Sequence, residues 1–155
     1  MKNYQRASCV VFLDVPEAKE KGDEYSHSKY CDESAHCVMV LPEDLLNAGF
    51  KPCKTRPLII AILMPYKAQH KRLSYAQTIM SDYGFPEAAE VALETIDKAQ
   101  GMEYDIVIVD MVVATSPGFL NKNRLNVLLS RARCGLYVIG NYSAWKKMKS
   151  NDSVP

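Results

Sequence analysis

The sequence contains no long apolar run, and this absence limits the classes of protein to which the chain can belong. Its 155 residues are 48% hydrophobic and 24% charged, yet nowhere do about 18 apolar residues follow one another, as a membrane-spanning helix requires. We therefore predict no membrane span. Near the N-terminus a cation and a short apolar run are followed at once by charged residues, with no small-residue cleavage site, so no secretory signal is predicted.

Several catalytic motifs are also absent. No glycine is followed by lysine, so the chain has no G-x-x-x-x-G-K-[ST] loop with which to hold a nucleoside triphosphate. No G-x-S-x-G motif occurs, and the 3 histidines have no evident serine or cysteine partner for a triad. The acidic stretch DESAH (32–36) follows the polar segment HSKYC. Its carboxylates are therefore not expected at a strand end, where a magnesium-binding box would lie.

The 5 cysteines are an odd and scattered set, in a chain large enough to fold without disulfides. We interpret them as free thiols in a reducing compartment and expect an intracellular location, in the cytoplasm or nucleus. A zinc site is the alternative, but the spacing H-x3-C-x4-H-C matches no common zinc motif, because adjacent ligands rarely bind one tetrahedral ion. We predict no metal site from its candidate ligands, which are His27, Cys31, His36, Cys37 and Cys53.

The net charge is only +1, so any contact with nucleic acid must come from locally placed cations rather than from a general basic field. Lysine and arginine do cluster in two segments, 51–72 and 122–149, whereas the acids concentrate in 14–44.

Apolar runs of strand length alternate with helix-like segments. The runs are bounded by turn residues, as buried strands are, and they span 9–15, 58–64, 90–96, 106–113 and 136–139. The helix-like segments are 34–48, which Pro42 is expected to break or restart, and 67–83, 121–132 and 143–149. This alternation predicts an α/β fold, with a mostly parallel sheet and helices on both faces.

Parallel sheets place their functional loops outside the carboxyl ends of the strands. This rule selects three loops: MPYKAQ (64–69), IDKAQGMEYD (96–105) and the segment 113–122. In the second of these, Gly101 followed closely by Glu103 would let the backbone approach a ligand and offer a carboxylate to a ribose hydroxyl or a cation. A simple polar turn is the alternative interpretation.

The predicted helix 121–132 combines one apolar face with several arginines. The apolar positions recur at helical spacing and are Leu125, Leu128, Leu129 and Ala132. Arg131 and Arg133 are two residues apart, about 200° around the helix, so we predict that they do not point to the same place. One would then address a site, or both would be ordinary surface cations whose stems cover the helix.

Taken together, these segments resemble a known family. LMPYKAQ (63–69), TIDKAQGMEYDIVIVDMV (95–112) and GFLNKNRLNVLLSRARCGLYVIGN (118–141) are similar, in order and spacing, to motifs IV, V and VI of superfamily-1 helicases of the nonsense-mediated-decay type. The resemblance is strong over 58–141 and weak over 9–57. It implies a second, C-terminal RecA-like domain, related to P-loop NTPases but lacking its own P-loop. We accordingly divide the chain into a weakly matching part (1–57, with an exposed or partly disordered loop at 16–30), a helicase core (58–149) and a frayed tail (150–155).

The resemblance also implies roles for individual residues. Arg131 would be the arginine finger that reaches the γ-phosphate of ATP bound on another domain. The nucleotide side of the cleft is implied for Gln100, Gly101 and Glu103, the last at the ribose. Contact with nucleic acid, or coupling to it, is implied for Pro65, Tyr66, Gln69, Thr95 and Asp97.

The expected function is therefore that of a helicase motor domain acting on RNA or single-stranded DNA. ATP and magnesium would be bound mainly by an N-terminal RecA-like domain that carries the P-loop. A non-catalytic nucleic-acid-binding or protein-interaction module derived from such a helicase is the alternative. The chain departs from the family at Cys31 and Ser34, where asparagine and glutamate are common, and at Val113, where arginine is common. Nothing in it matches the family's Q-Y-R-M-H-P segment.

Overall fold

The structure is a computed structural model that describes residues 9–49, 56–112 and 120–151. Seven strands occur in it, in chain order β1 (Cys9–Asp14), β2 (Lys21–Gly22), β3 (Lys29–Tyr30), β4 (Ile60–Met64), β5 (Ala92–Thr95), β6 (Tyr104–Asp110) and β7 (Ala132–Gly140). The helices are α1 (Asp32–Asn47), α2 (Lys67–Tyr83), α3 (Ile96–Ala99), α4 (Lys122–Leu129) and α5 (Tyr142–Asn151), with a 3-10 turn at Pro86–Glu90.

Five strands form one parallel sheet in the order β1-β7-β6-β4-β5. Strand β6 lies at its centre, and all of its residues, YDIVIVD, are buried. Because successive side chains of a strand point to opposite faces, this complete burial shows that both faces of the sheet are covered at its centre. The predicted α/β, RecA-like fold is confirmed.

Helix α1 is continuous, so the predicted break at Pro42 is wrong. The helix runs from Asp32 to Asn47 with Pro42 inside it and buried. Burial of this face against the core stabilises the helix by more than the lost backbone hydrogen bond and proline strain cost. Asp32 and Glu33 open the first turn, where carboxylates interact favourably with the positive end of the helix dipole.

Helix α4 is shorter than predicted. It ends at Leu129, and β7 already begins at Ala132, where it pairs with Tyr104 of β6. Leu128 is fully buried as predicted, but Leu129 is 39% exposed and does not belong to the buried face. The local pattern favours a helix as far as residue 132. Residue 132 instead forms strand β7, because it pairs with β6.

The segment 16–30 carries a short antiparallel hairpin. Strands β2 and β3 form it, and two ion pairs secure it: Lys29 with Glu20 at 2.7 Å and Lys21 with Asp32 at 2.8 Å. The predicted functional loop at 113–122 lies largely outside the described residues, as does Val113. Helix α5 extends to Asn151, within the tail that we expected to fray.

Candidate functional site

In a parallel sheet all the carboxyl ends of the strands lie at one edge and all the amino ends at the other. Pro65 and Tyr66 directly follow β4, and Thr95 ends β5, so these residues lie at the carboxyl edge. Glu103 directly precedes β6 and Arg131 precedes β7, so these two lie at the amino edge. The predicted loop 96–105 therefore begins at the carboxyl edge but ends at the amino edge, so the prediction that it lies wholly at the carboxyl edge is wrong.

The turn at residues 100–103 meets Arg131 at the amino edge. The backbone oxygen of Arg131 accepts a hydrogen bond from Tyr104 N at 3.0 Å, and its Nη1 donates to Met102 O at 3.4 Å. Gly101 has φ +81°, a left-handed conformation that glycine adopts without strain. The structure thus brings Gln100, Gly101, Glu103 and Arg131 together around one turn, as the motif order suggested.

The guanidinium of Arg131 is held by neutral acceptors. Its Nε donates to Val127 O at 3.1 Å and its Nη2 to Ser130 Oγ at 2.9 Å. No carboxylate pairs with it among the described residues. Neutral acceptors bind a guanidinium more weakly than an anion does, so its charge stays available to an incoming phosphate.

Arg133 also leans toward this turn, which corrects the prediction that the two arginines point apart. Neither residue lies on α4. Between Tyr104 and Ile106 the register of β6 with β7 shifts, so that two β7 residues, Arg133 and Cys134, lie opposite the single β6 residue Asp105. Irregularities of this kind re-aim side chains. Arg133 Nε donates to Glu103 Oε2 at 3.0 Å. The carboxylate that the resemblance places at the ribose therefore already has a cationic partner.

A second ion pair at the same edge was not predicted. Asp105 is fully buried, and Arg56 donates to both of its carboxylate oxygens, at 2.6 and 2.7 Å. The hydrogen bonds from Arg56 hold the pKa of Asp105 below its ordinary value. The sequence did contain a signal for this ion pair, namely an acidic residue at the start of an otherwise apolar strand. A carboxylate buried there is strongly destabilising unless it is paired.

The motif IV side chains at the opposite edge are buried. Tyr66 is 8% exposed, Gln69 is fully buried and Pro65 is also buried. Thr95 is half-buried, and Asp97 is exposed and lies 3.9 Å from the guanidinium of Arg124. Most of the side chains implied for nucleic-acid contact are thus inside the domain, which favours the coupling role over direct contact.

Gln69 is the centre of a buried polar network. Its Nε2 donates to Asp110 Oδ2 at 2.6 Å and to Cys31 O at 3.0 Å, while its Oε1 accepts from Cys31 N at 2.9 Å. Ser34 Oγ donates to Cys31 O at 3.3 Å. One amide thereby joins the start of α1, the first turn of α2 and the end of β6. The two departures from the family, Cys31 and Ser34, both fall in this network.

Asp110 ends β6 in a fully buried position. Burial raises its pKa to about 6, against the opposing effect of hydrogen bonds from Ser34, Gln69 and the backbone N–H of Val112. Val112 has φ +60°, a strained conformation for a β-branched residue. Its N–H donates to Asp110 Oδ1 at 3.1 Å, so the carboxylate stabilises the strained backbone.

This raised pKa predicts an unusual pH dependence of stability. Between the ordinary pKa and about 6, the folded state keeps a proton on Asp110 that the unfolded state has lost. The free energy of unfolding should therefore decrease as pH rises through this window, by on the order of 2 to 3 kcal/mol. Urea denaturation of the wild type and of Asp110→Asn across pH 4 to 8 measures it. Subtracting the two profiles removes the contributions of other carboxylates to the pH dependence. One of these is Asp105, whose lowered pKa changes stability in the opposite direction. A difference that does not change with pH would contradict the prediction.

Two features are absent from the described residues: a cluster of metal ligands and a helix that could cross a membrane. No group of three histidine, cysteine, aspartate or glutamate side chains in this part of the chain could hold a metal ion. Cys31 and Cys37 are free thiols. Within residues 9–49, 56–112 and 120–151, no helix has the length and apolar character needed to cross a membrane.

Comparisons with known proteins identify the family. The sequence profile of the AAA domain family matches residues 1–143. The chain is 30% identical over 139 residues to the 5'-3' DNA helicase ZGRF1 of Mus musculus, covering 89% of this chain and 7% of that protein. It is 34% identical over 100 residues to the regulator of nonsense transcripts 1 homolog of Drosophila melanogaster, covering 62% of this chain and 8% of that protein.

A solved structure has the same fold. The C-terminal domain of a possible DNA helicase from Lactobacillus plantarum superposes with a TM-score of 0.52 at 16% identity, covering 86% of this chain and 73% of the other. The chain spans less than a tenth of the length of the two curated relatives described above. These matches show that the chain belongs to the AAA domain family, and they confirm its predicted resemblance to superfamily-1 helicases.

Proposed function

We propose that this chain is the C-terminal motor domain of an ATP-dependent RNA or DNA helicase and that its amino edge completes an ATP site on a separate P-loop domain. Arg131 would serve as the arginine finger, with Gln100, Gly101 and Glu103 on the nucleotide side of the cleft. The observation that carries the proposal is the position of the Arg131 guanidinium, which lies beside the 100–103 turn and, within the described part of the chain, is bonded to neutral acceptors alone.

The chemistry of this edge suits a phosphoryl group. During transfer, negative charge spreads over the γ-phosphate oxygens, and a guanidinium stabilises this charge with two parallel N–H donors. Glu103 is exposed, so a ribose hydroxyl can reach its carboxylate beside Arg133. The described part of the chain has no cluster of metal ligands. We therefore assign the magnesium ligands to the P-loop domain.

The carboxyl edge would carry the nucleic acid. Thr95 and Asp97 are accessible there, whereas Pro65, Tyr66 and Gln69 would act by holding the start of α2 in place. Closure of the two domains on ATP would change the position of this edge relative to the strand, and hydrolysis would release it. Contacts with the sugar-phosphate backbone would position the strand without reading its sequence.

A direct test uses the isolated chain. Because the proposal places the triphosphate cradle on another domain, the 155-residue chain should hydrolyse ATP no faster than the background rate, with or without oligouridylate or oligothymidylate. A protein in which the chain follows a P-loop RecA-like domain should hydrolyse ATP, and the P-loop domain alone should do so far more slowly. Phosphate release measures all three. Robust turnover by the isolated chain would contradict the proposed division of the site.

A further inference from the structure

A cleft lies between the β2–β3 hairpin and helix α2, and all of its lining except Lys67 and Ala68 lies outside the segments that resemble helicase motifs. We call it the hairpin cleft and define it by Tyr25 and Ser28 on the hairpin and Lys67, Lys71 and Tyr75 on α2. Its volume is about 760 Å³, within the range of ligand-binding pockets. Because α2 begins shortly after β4 ends, the Lys67 end of the cleft lies near the carboxyl edge of the sheet.

Several contacts at the base of the hairpin cleft join its two walls. Ser28 Oγ accepts a hydrogen bond from Ala68 N at 2.9 Å, which ties the hairpin to the first turn of α2. The guanidinium of Arg72 lies 3.5 Å from the centre of the Tyr30 ring and donates to Asp32 Oδ1 at 2.7 Å. These contacts fix the position of the hairpin relative to α2.

Two aromatic rings stand exposed on opposite walls. Tyr25 is 94% exposed and Tyr75 is 72% exposed, so both ring faces are open to a flat ligand. Lys67, Lys71 and Tyr75 follow one another at four-residue intervals and therefore share one side of α2.

The charges in the cleft favour an anion. Neither Lys67 nor Lys71 forms an ion pair with an acid among the described residues. Two carboxylates also line the cleft: Asp32 pairs with Arg72 and Lys21, and Asp23 accepts a hydrogen bond from the neutral Ser26. The lining therefore holds three cations, Lys67, Lys71 and Arg72, against two acids. The two lysines are therefore free to contact phosphates.

We propose that the hairpin cleft is a subsite for single-stranded nucleic acid, in which unpaired bases stack on Tyr25 and Tyr75 while Lys67 and Lys71 contact the backbone. Stacking platforms combined with cations are the arrangement by which proteins hold single strands without reading their sequence. The inference rests on the proposed function in one respect: it takes the strand to cross the carboxyl edge and to continue from there into the cleft.

Fluorescence anisotropy with the full chain and a labelled 12-nucleotide oligouridylate or oligothymidylate tests the proposal. Tyr25→Ala and Tyr75→Ala should each weaken binding about fivefold or more. Tyr83→Ala, which removes an 84% exposed tyrosine at the far end of α2, should leave binding unchanged. Lys67→Ala combined with Lys71→Ala should reduce the slope of log K against log salt by about 1.4. Lys146→Ala, on α5, is the lysine control.

Photocrosslinking supplies a second, local readout. An oligonucleotide with 4-thiouridine should attach to the peptides that contain Tyr25 or Tyr75. The proposal is overturned if the wild type binds no single strand, if the tyrosine variants bind like the wild type, or if a blunt duplex binds as tightly as the single strand. These outcomes are separable from failure of the proposed function, because ATP hydrolysis by the two-domain protein and its dependence on Arg131 are measured without reference to the cleft.

Discussion

Replacing Arg131 with alanine in a two-domain protein should lower kcat for ATP hydrolysis by about 10³-fold or more, because an arginine finger contributes a factor of this size to phosphoryl transfer. The guanidinium has no carboxylate partner among the described residues, so its removal should disturb the fold little. Steady-state phosphate release in the presence of single-stranded nucleic acid measures the effect. Arg131→Lys should recover only part of the rate, since lysine keeps the charge but loses the paired donors.

Arg133→Ala is the matched control, because Arg133 lies two residues after Arg131, at the start of β7. Its partner Glu103 is exposed, with 48% and 59% of the two side chains accessible, and exposed ion pairs contribute about 1 kcal/mol at most. We expect the KM for ATP to rise by less than about tenfold while kcat stays within about threefold. Equal losses of kcat in the two variants would contradict the assignment of the finger to Arg131.

Replacing Gln69 with leucine should lower the free energy of unfolding by about 4 kcal/mol at pH 7. Leucine fills the space but removes the Gln69 donor from the buried carboxylate of Asp110 and leaves Cys31 N without its acceptor. Each unsatisfied buried group costs about 1 to 3 kcal/mol, and more where a charge is involved. Urea denaturation followed by circular dichroism gives the value.

Gln100→Leu is the control for this change, because Gln100 is exposed and a surface substitution of this kind changes stability by about 0.5 kcal/mol or less. A second readout is the pKa of Asp110. The hydrogen bond from Gln69 lowers that pKa, so in Gln69→Leu the pH-dependent loss of stability should extend to higher pH. If Gln69→Leu and Gln100→Leu were equally stable, the network would carry no net stability.

The centre of the fold could be predicted from local pattern alone. The apolar stretch in YDIVIVD is typical of a strand buried on both faces, and it forms β6. Helix α2 was predicted with the bounds that the structure gives it. The ends of α4 and β7 could not be predicted in this way, because the pairing of Ala132 with Tyr104 joins residues far apart in the chain.

The candidate site was predicted in its members but not in its arrangement. Motif resemblance selected Arg131 and Glu103, but the rule about carboxyl ends placed Glu103 at the wrong edge. The rule failed because residues 100–103 follow α3 and lie next to the first residue of β6. The role of Asp110 and the ion pair of Arg133 were not predicted, for a different reason: each depends on a partner, Gln69 or Glu103, that only the folded chain brings near.

The separation of the two edges has a mechanical consequence. Strand β6 runs directly from the Arg131 turn to Asp110, and its 7 residues span about 20 Å at about 3.3 Å per residue. The buried sheet acts as a stiff lever of that length. A rotation of about 10° about the amino edge displaces the carboxyl edge by about 3.5 Å, close to the spacing of about 3.4 Å between stacked bases. Under the proposed function, a rotation of this size around the phosphate would match a step of one nucleotide.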